Sequence, residues 1–268
     1  MTSKHFAVVG DPIDHSLSPN IHNAAYKFLG LDWDYTRFQV SEGNLQDFLR
    51  KEGSHLSGIS VTMPLKLEAA TLASSGDEIV SELQIANTLL RKDDEFTAFN
   101  TDVFGIEMSL SKCWGQGIQR VAILGSGATA QSALYAISRR ASNAKVVVYA
   151  RDLSKTEPIQ KLAAKLGIAV EVSPLGSYSH EQDLTVSTIP AAALDTLSHL
   201  TQAGWLLNVN YASKDTNFSK QFNADKVVQG ETMLIWQAIT QIRIFLNGTP
   251  QAELDNEKAL FAKMAEAL

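Results

Sequence analysis

One cysteine, Cys113, stands in 268 residues, so no disulfide can form within the chain and a reducing compartment is expected. Long apolar runs are missing too. Nothing approaches the roughly 20 residues needed to span a bilayer, so no membrane partner is expected. Met1 to Lys4 give way at once to Phe6-Ala7-Val8-Val9-Gly10, too short for the apolar part of a secretory leader, and a cytoplasmic location follows. Positive charge is scarce: 23 Lys and Arg against 29 Asp and Glu leave a net charge of −6. That balance argues against a nucleic-acid partner, although a few local cations can still hold an anionic small molecule in a cleft. Internal repeats and low-complexity tracts are absent. His15 and His22 have no cysteine or acidic cluster beside them to complete a metal site, so both read as structural hydrogen-bonders and no metal is expected.

What is present is an alternation of short β-rich runs and helical stretches, with 45% hydrophobic residues. This is the pattern of an α/β protein with mostly parallel strands. Strands are expected at Phe6–Gly10, Gly58–Thr62, Arg120–Leu124, Lys145–Tyr149, Ile168–Val172, Leu184–Ser187 and Trp205–Val209. A helix should open at Ser18-Pro19, with the serine as its cap and Ile21, Ala24, Ala25 and Phe28 on one apolar face up to Gly30. Two more helices close the chain, at about Glu231–Leu246 and Pro250–Ala267. A change of domain is expected near Asp102–Leu110.

Gly125-Ser126-Gly127-Ala128-Thr129-Ala130 reads G-x-G-x-x-A between an expected strand and the helical stretch Gln131–Arg140. In a dinucleotide site Gly125 permits the tight turn, Gly127 lets the pyrophosphate approach the backbone, and Ala130 lets helix and strand pack closely. The helix start then offers free amides and a partial positive charge to the phosphates. Glycines at strand ends also make ordinary turns, so the strand–turn–helix setting carries the argument. At the end of the next strand come Tyr149-Ala150-Arg151-Asp152-Leu153-Ser154-Lys155. An acidic residue there would hold the ribose diol of NAD, whereas arginine accommodates the 2′-phosphate of NADP. Arg151 comes first and Lys155 adds a second cation, which favours NADP. NAD, or two merely solvated charges, remain the alternatives.

Three stretches spend polar residues where packing does not ask for them. They are Gly10–Asn23, Ser60–Lys66, and Ala86–Leu89 followed by Phe99–Gly105. The first reads G-x-P-x-x-H-S-x-S-P-x-x-H-N, and V-T-x-P-x-K, N-T-L and N-T-D-x-x-G follow in order. Gly230–Ala238 reads G-x-x-M-L-x-x-Q-A. In these motifs, over nearly its whole length, the chain resembles the shikimate dehydrogenase family, which reduces 3-dehydroshikimate with NADPH in aromatic amino-acid biosynthesis.

The resemblance implies two domains with the active site in the groove between them. A three-layer α/β substrate domain would take residues 1–101 and 237–268, and a Rossmann-type doubly wound parallel sheet residues 102–236. It implies that Ser16 and Ser18 bind the substrate carboxylate, that Thr62, Lys66, Asn87, Asp102 and Gln237 contact ring hydroxyls, and that Tyr211 adds a contact from the nucleotide domain. Lys66 and Asp102 would be the catalytic pair. A secondary alcohol that gives up hydride must also lose a proton to some acceptor, and a lysine beside a carboxylate can hydrogen-bond the reacting oxygen and stabilise its developing charge. Cofactor contacts would run over Gly125 to Ala130, Ala150, Arg151, Asp152 and Lys155, and include Val209 and Gly230. The protein would be a monomer or homodimer.

Taken singly these residues have plainer readings. Ser18 caps a helix, a lone lysine such as Lys66 is usually at the surface, Asp102 suits a turn, and Gln237 is an amide in an apolar helix that needs a partner. The chain also departs from the family pattern. Ser60 stands for asparagine, Gln84 for glycine, Ala150 for asparagine, Ser187 for the asparagine of N-A-T, and Asn208 for aspartate. The intact Lys66/Asp102 pair favours retained chemistry over a non-catalytic sensor that only binds ligand or cofactor. The departures leave a paralogue acting on quinate or another polyhydroxy acid as the rival within the family.

Overall fold

The apolar run Phe6-Ala7-Val8-Val9 is buried on both faces, as the middle strand of a covered sheet must be. In the computed structural model, which describes residues 3–179, 181–197, 203–211 and 216–268, it forms β1 (Lys4–Gly10). In chain order there follow α1 (Ser18–Phe28), β2 (Trp33–Gln39), α2 (Leu45–Lys51), β3 (Gly58–Val61), α3 (Lys66–Leu72), β4 (Ser75–Gly76), α4 (Glu78–Leu83), β5 (Thr88–Lys92) and β6 (Glu95–Phe99). Then come α5 (Asp102–Ser109), β7 (Arg120–Leu124), α6 (Ala128–Arg140), β8 (Lys145–Ala150), α7 (Glu157–Leu166), β9 (Val170–Pro174), β10 (Leu184–Ser187), α8 (Ala191–Leu194), β11 (Trp205–Asn208), β12 (Val227–Gln229), α9 (Gly230–Asn247) and α10 (Glu257–Ala265).

The chain divides into two compact units, Met1–Thr101 with Leu234–Leu268, and Asp102–Met233. The first holds a six-stranded sheet in the order β2-β1-β3-β5-β6-β4. The expected parallel character holds for β1 with β2 and β3, and for β4 with β6, but β5 runs antiparallel to both β3 and β6. The hairpin turns at Asp93, whose φ of 56° puts it in the left-handed region, where aspartate is among the better tolerated side chains. Its core gathers Ala7, Val9, Ile59, Val61, Leu65, Leu89 and Ala98 from four strands and the α3 approach.

The second unit is a fully parallel six-stranded sheet in the order β12-β11-β10-β7-β8-β9. Counting from β7, this is the doubly wound 3-2-1-4-5-6 order of dinucleotide-binding folds, read from the other edge. Ala122, Leu124, Tyr149 and Leu206 form one face of its core with Leu194, Phe218 and Phe222.

Several elements differ from the sequence expectation. Ser18 is the first residue of α1 rather than its cap: Leu17 precedes the helix with no side-chain bond, and Ser16 Oγ accepts from the Ser18 amide at 3.4 Å. The helix after the glycine loop begins at Ala128, three positions before Gln131, with uncapped amides at its start. Strand β9 lies two residues later than expected, because Gly167 takes a left-handed conformation and ends α7 first. The last helix starts at Glu257 instead of Pro250. Asn256 before it has φ 56°, and the segment is held by Arg243, which donates to both oxygens of Glu257 (2.6 and 2.5 Å) and to the Pro250 carbonyl (3.0 Å).

Candidate active site

In the first unit the sheet topology alone brings most of the singled-out residues to one edge. β1 and β3 are parallel neighbours, so the loops that follow them, carrying Ser16 and Ser18 or Thr62 and Lys66, leave the sheet on the same side. β5 runs the other way, which puts Asn87, just before it, at that same edge, and β6 returns there with Asn100 and Thr101 behind it. Carboxyl ends of parallel strands are where open α/β sheets bind ligands.

The two loops after β1 and β3 touch closely. Asp11 donates its amide to the Met63 carbonyl (3.0 Å), and Thr62 donates to the Val9 carbonyl (2.9 Å). A Cβ on Gly10 would lie 2.4 Å from the Thr62 side chain and 2.8 Å from the Met63 carbonyl oxygen, so only glycine fits there. Arg37 holds the serine loop from the far side by donating to the carbonyls of Asp14 and Ser16. Ser16 and Ser18 are buried, and Thr62 is half-buried.

Lys66 opens α3 and is 9% exposed, against the surface position a lone lysine would take. Its carbonyl accepts the Ala86 amide at 2.9 Å, which ties α3 to the segment carrying Asn87. The Asn87 side chain is a junction. Its Oδ1 accepts from the Thr101 amide (2.8 Å) and the Thr88 hydroxyl (3.0 Å), while its Nδ2 donates to Thr101 Oγ1 (2.9 Å) and Gln237 Oε1 (3.4 Å). Gln237 finds the partner its apolar helix required: Nε2 donates to the Leu234 carbonyl at 2.8 Å. Asp102, 4% exposed, is the first residue of α5 and belongs to the second unit.

Behind this edge lies a group that the sequence did not single out. Gln241, one helical turn after Gln237, is buried and bonded to Ser60, His22, Thr88 and the Asn87 carbonyl. Spacing was the available signal, since residues four apart share a helix face. Ser60 is thereby accounted for as a partner of Gln241. His22 is fully buried, stacked on Tyr35 at 4.0 Å, and burial pulls its pKa down to about 3.

In the second unit the glycine loop has the predicted mechanics. Gly125 adopts φ +106°, and a Cβ there would come within 2.5 Å of Thr188 Oγ1. A Cβ on Gly127 would meet nothing within 4 Å, so the space before the loop is open. Ala130, in the first turn of α6, is fully buried. Ser126, Ala128 and Thr129 line the half-buried turn between them. At the ends of β8 and β9 lies a cavity of about 500 Å³ lined by Ala150, Arg151, Pro174, Leu175, Ala193 and Thr196. Arg151 and Lys155 are exposed. Asp152 caps the short turn Leu153–Lys155: its Oδ1 accepts from the Ser154 amide (3.0 Å) and hydroxyl (2.6 Å), and those bonds lower its pKa. With its oxygens turned to Ser154, and Lys155 Nζ 3.9 Å away, the carboxylate leaves Arg151 as the leading charge of the cavity. An open glycine cradle, an uncapped helix start and a cation-bearing cavity together fit a phosphorylated dinucleotide.

Gly230 begins α9 against the end of β11, where a Cβ would lie 2.5 Å from the Val209 carbonyl oxygen. Val209 and Tyr211 are half-buried at that strand end. In the same row, Ser187 Oγ and both amide atoms of Asn208 are buried without a hydrogen-bond partner among the described residues. These are two of the positions where the sequence departs from the family pattern. Cys113 is fully buried, with its thiol pushed up to about 12 chiefly by burial.

Comparison with known proteins decides the lineage. The profile of the shikimate dehydrogenase substrate binding domain matches residues 8–89. A shikimate dehydrogenase (NADP(+)) of Ignicoccus hospitalis is 30% identical over 253 residues, covering 91% of this chain and 94% of that protein. The chain belongs to the shikimate dehydrogenase family. A second relative of that name, from Bartonella quintana, is 31% identical over 97% of this chain and 92% of its own. The crystal structure of Mycobacterium tuberculosis shikimate dehydrogenase superposes with a TM-score of 0.81 at 29% identity, covering 99% of this chain and 100% of that one. Family membership accounts for both sheets. Among the described residues no helix is long and apolar enough to cross a membrane.

Proposed function

We propose that this protein is an NADP-dependent shikimate dehydrogenase, interconverting shikimate and 3-dehydroshikimate in aromatic amino-acid biosynthesis, in the cytoplasm. The first unit binds the cyclic polyhydroxy carboxylate and the second the dinucleotide. The observation that supports this most is the gathering of Ser16, Ser18, Thr62, Lys66 and Asn87 at one sheet edge, with Gln237 bonded to Asn87.

The roles follow from the chemistry of each group. Ser16 and Ser18 offer hydroxyls to the carboxylate, and Thr62, Asn87 and Gln237 meet ring hydroxyls, with Tyr211 as a further contact. Gly125 to Ala130 hold the pyrophosphate. Ala150, Arg151 and Lys155 hold the adenosine end with its 2′-phosphate, Asp152 shapes their turn, and Val209 and Gly230 border the nicotinamide end. When bound, NADP+ supplies the hydride acceptor. In the oxidation direction Lys66 Nζ, as the free amine, takes the alcohol proton and hydrogen-bonds the reacting oxygen as charge develops on it, and the Asp102 carboxylate stabilises the ammonium so formed. Positioned acid–base groups of this kind contribute about 10²–10⁴-fold to rate.

A panel of shikimate and quinate, each with NADP+ and NAD+, tests the assignment. The expected result is saturable NADPH formation from shikimate, with quinate and NAD+ at least about tenfold poorer in kcat/KM, a gap of about 1.4 kcal/mol. Quinate or NAD+ as the better substrate would reassign the protein within its family. Ligand-induced thermal stabilisation with no reduced cofactor from any pair would make it a binding protein.

A further inference from the structure

The hydrogen bonds around Gln241 have only one consistent direction. A backbone carbonyl can only accept, so the Gln241 atom 3.3 Å from the Asn87 carbonyl is the amide nitrogen, and that nitrogen also donates to Thr88 Oγ1 at 2.9 Å. A backbone amide can only donate, so the Asn87 atom 2.8 Å from the Thr101 amide is the oxygen. Thr88, accepting from Gln241, must spend its own proton on Asn87 Oδ1 at 3.0 Å. On the other side Gln241 Oε1 accepts from Ser60 Oγ (2.9 Å) and His22 Nε2 (3.2 Å). His22 is therefore the neutral Nε2–H tautomer, consistent with its low pKa, and its Nδ1 accepts from the Tyr26 hydroxyl at 3.3 Å.

The links join end to end. Tyr26 donates to His22, His22 to Gln241, Gln241 to Thr88, Thr88 to Asn87, and Asn87 Nδ2 to Thr101 and Gln237. Every member from Tyr26 to Gln237 is buried, so an incorrectly turned amide would leave buried donors facing donors. Gln237 is fixed independently by its bond to the Leu234 carbonyl, which turns its oxygen toward Asn87. The edge thus shows a donor, Asn87 Nδ2, and an acceptor, Gln237 Oε1, 3.4 Å apart.

We propose that Gln241 is a positioning residue for substrate specificity: through Thr88 and the Asn87 carbonyl it joins the Thr101 amide in locking Asn87 with its NH2 group toward Gln237, and so helps fix the donor–acceptor order that reads adjacent ring hydroxyls. This rests on the proposed function, since Asn87 and Gln237 are read there as the hydroxyl contacts. Gln241 itself touches no substrate.

The test compares wild type with Gln241→Glu, Gln241→Leu, Thr88→Val and the Gln241→Leu/Thr88→Val double variant. Losing one direction-setting bond behind a hydrogen-bonding site should raise the shikimate KM about tenfold in each variant, in the range seen when a buried polar group loses its partner. The kcat should stay within about threefold and the NADP+ KM should not move. The double variant should match Gln241→Leu alone, because both cuts break one chain. A role in folding alone would lower the melting temperature and leave the shikimate KM unchanged, and that outcome overturns the proposal. So does an additive double variant. Should wild type not turn over shikimate, the proposed function fails, and nitrogen NMR then judges the chain by itself. The Nε2–H tautomer of His22 and slowly exchanging Asn87 side-chain amide protons are expected in wild type, with the latter lost in Gln241→Leu. The Nδ1–H tautomer would refute the direction assigned here. If Gln241→Leu does not fold, Thr88→Val and Gln241→Glu carry the same readouts.

Discussion

The two units hold their candidate functional groups by opposite means. In the first, the polar side chains hold one another: Asn87, Thr88, Thr101, Gln237 and Gln241 are buried and bonded in one connected network. In the second, the backbone does the holding. Gly125 sits at φ +106°, Gly127 faces open space, and α6 begins without a side-chain cap. There the buried polar atoms of Ser187 and Asn208 have no partner among the described residues. The lesson is that the units should fail differently. The first is sensitive to the identity of side chains and the second to the shape of the main chain.

The largest effect expected is on chemistry. Lys66→Met should lower kcat by about 10²–10⁴-fold, with NADP+ affinity by calorimetry unchanged because the cofactor loop is built from another unit. Loss of cofactor binding in that variant would break the division of labour.

A smaller effect concerns acid stability in the first unit. Burial holds the folded His22 pKa at about 3 against an ordinary value of 6.5. The unfolded chain therefore takes up a proton before the folded one does. Stability is full above about pH 6.5 and is lost as the pH falls toward 3, by at most about 1.4 kcal/mol per unit. Urea midpoints at pH 7.5 and pH 4.5 should show a fall in wild type of about 2–3 kcal/mol that is reduced in His22→Asn. An equal fall in both proteins would assign the acid sensitivity to other groups.

Gly125→Ala probes the backbone in the second unit. Its positive φ and the 2.5 Å approach of Thr188 Oγ1 should cost about 1–3 kcal/mol of stability, read as a lower melting temperature. Smallest of these is Arg151→Ala, which should raise the NADP+ KM about tenfold, near 1.4 kcal/mol, and leave that of NAD+ alone. Equal effects on both cofactors would take Arg151 away from the 2′-phosphate.

Much of this was readable from the chain. The glycine loop announced itself because its function is a backbone shape that few residues permit, and the five ordered motifs marked the polar edge. Other parts were hidden for physical reasons. β5 and β6 read poorly as strands because their outer halves, Arg91-Lys92 and Glu95, are polar edges of a hairpin. β2, Trp33-Asp34-Tyr35-Thr36-Arg37-Phe38-Gln39, buries only Tyr35 fully, so its sequence carries little strand signal. Ser18 resembles a cap in sequence, but Leu17 already has helical angles and the Ser18 amide goes to Ser16. Gln241 was invisible for a different reason: its partners lie 153 to 219 positions away in the chain, and no local pattern encodes them.

The division between a side-chain-built and a backbone-built unit is tested most directly by one crossed measurement of KM for both ligands in two variants. Gly127→Val points its side chain into open space, so it should fold normally, raise the NADP+ KM about tenfold or more and leave the shikimate KM within about twofold. Asn87→Ala should do the reverse. If each variant shifts both constants to a similar degree, the two units do not divide the ligands between them and the account is wrong.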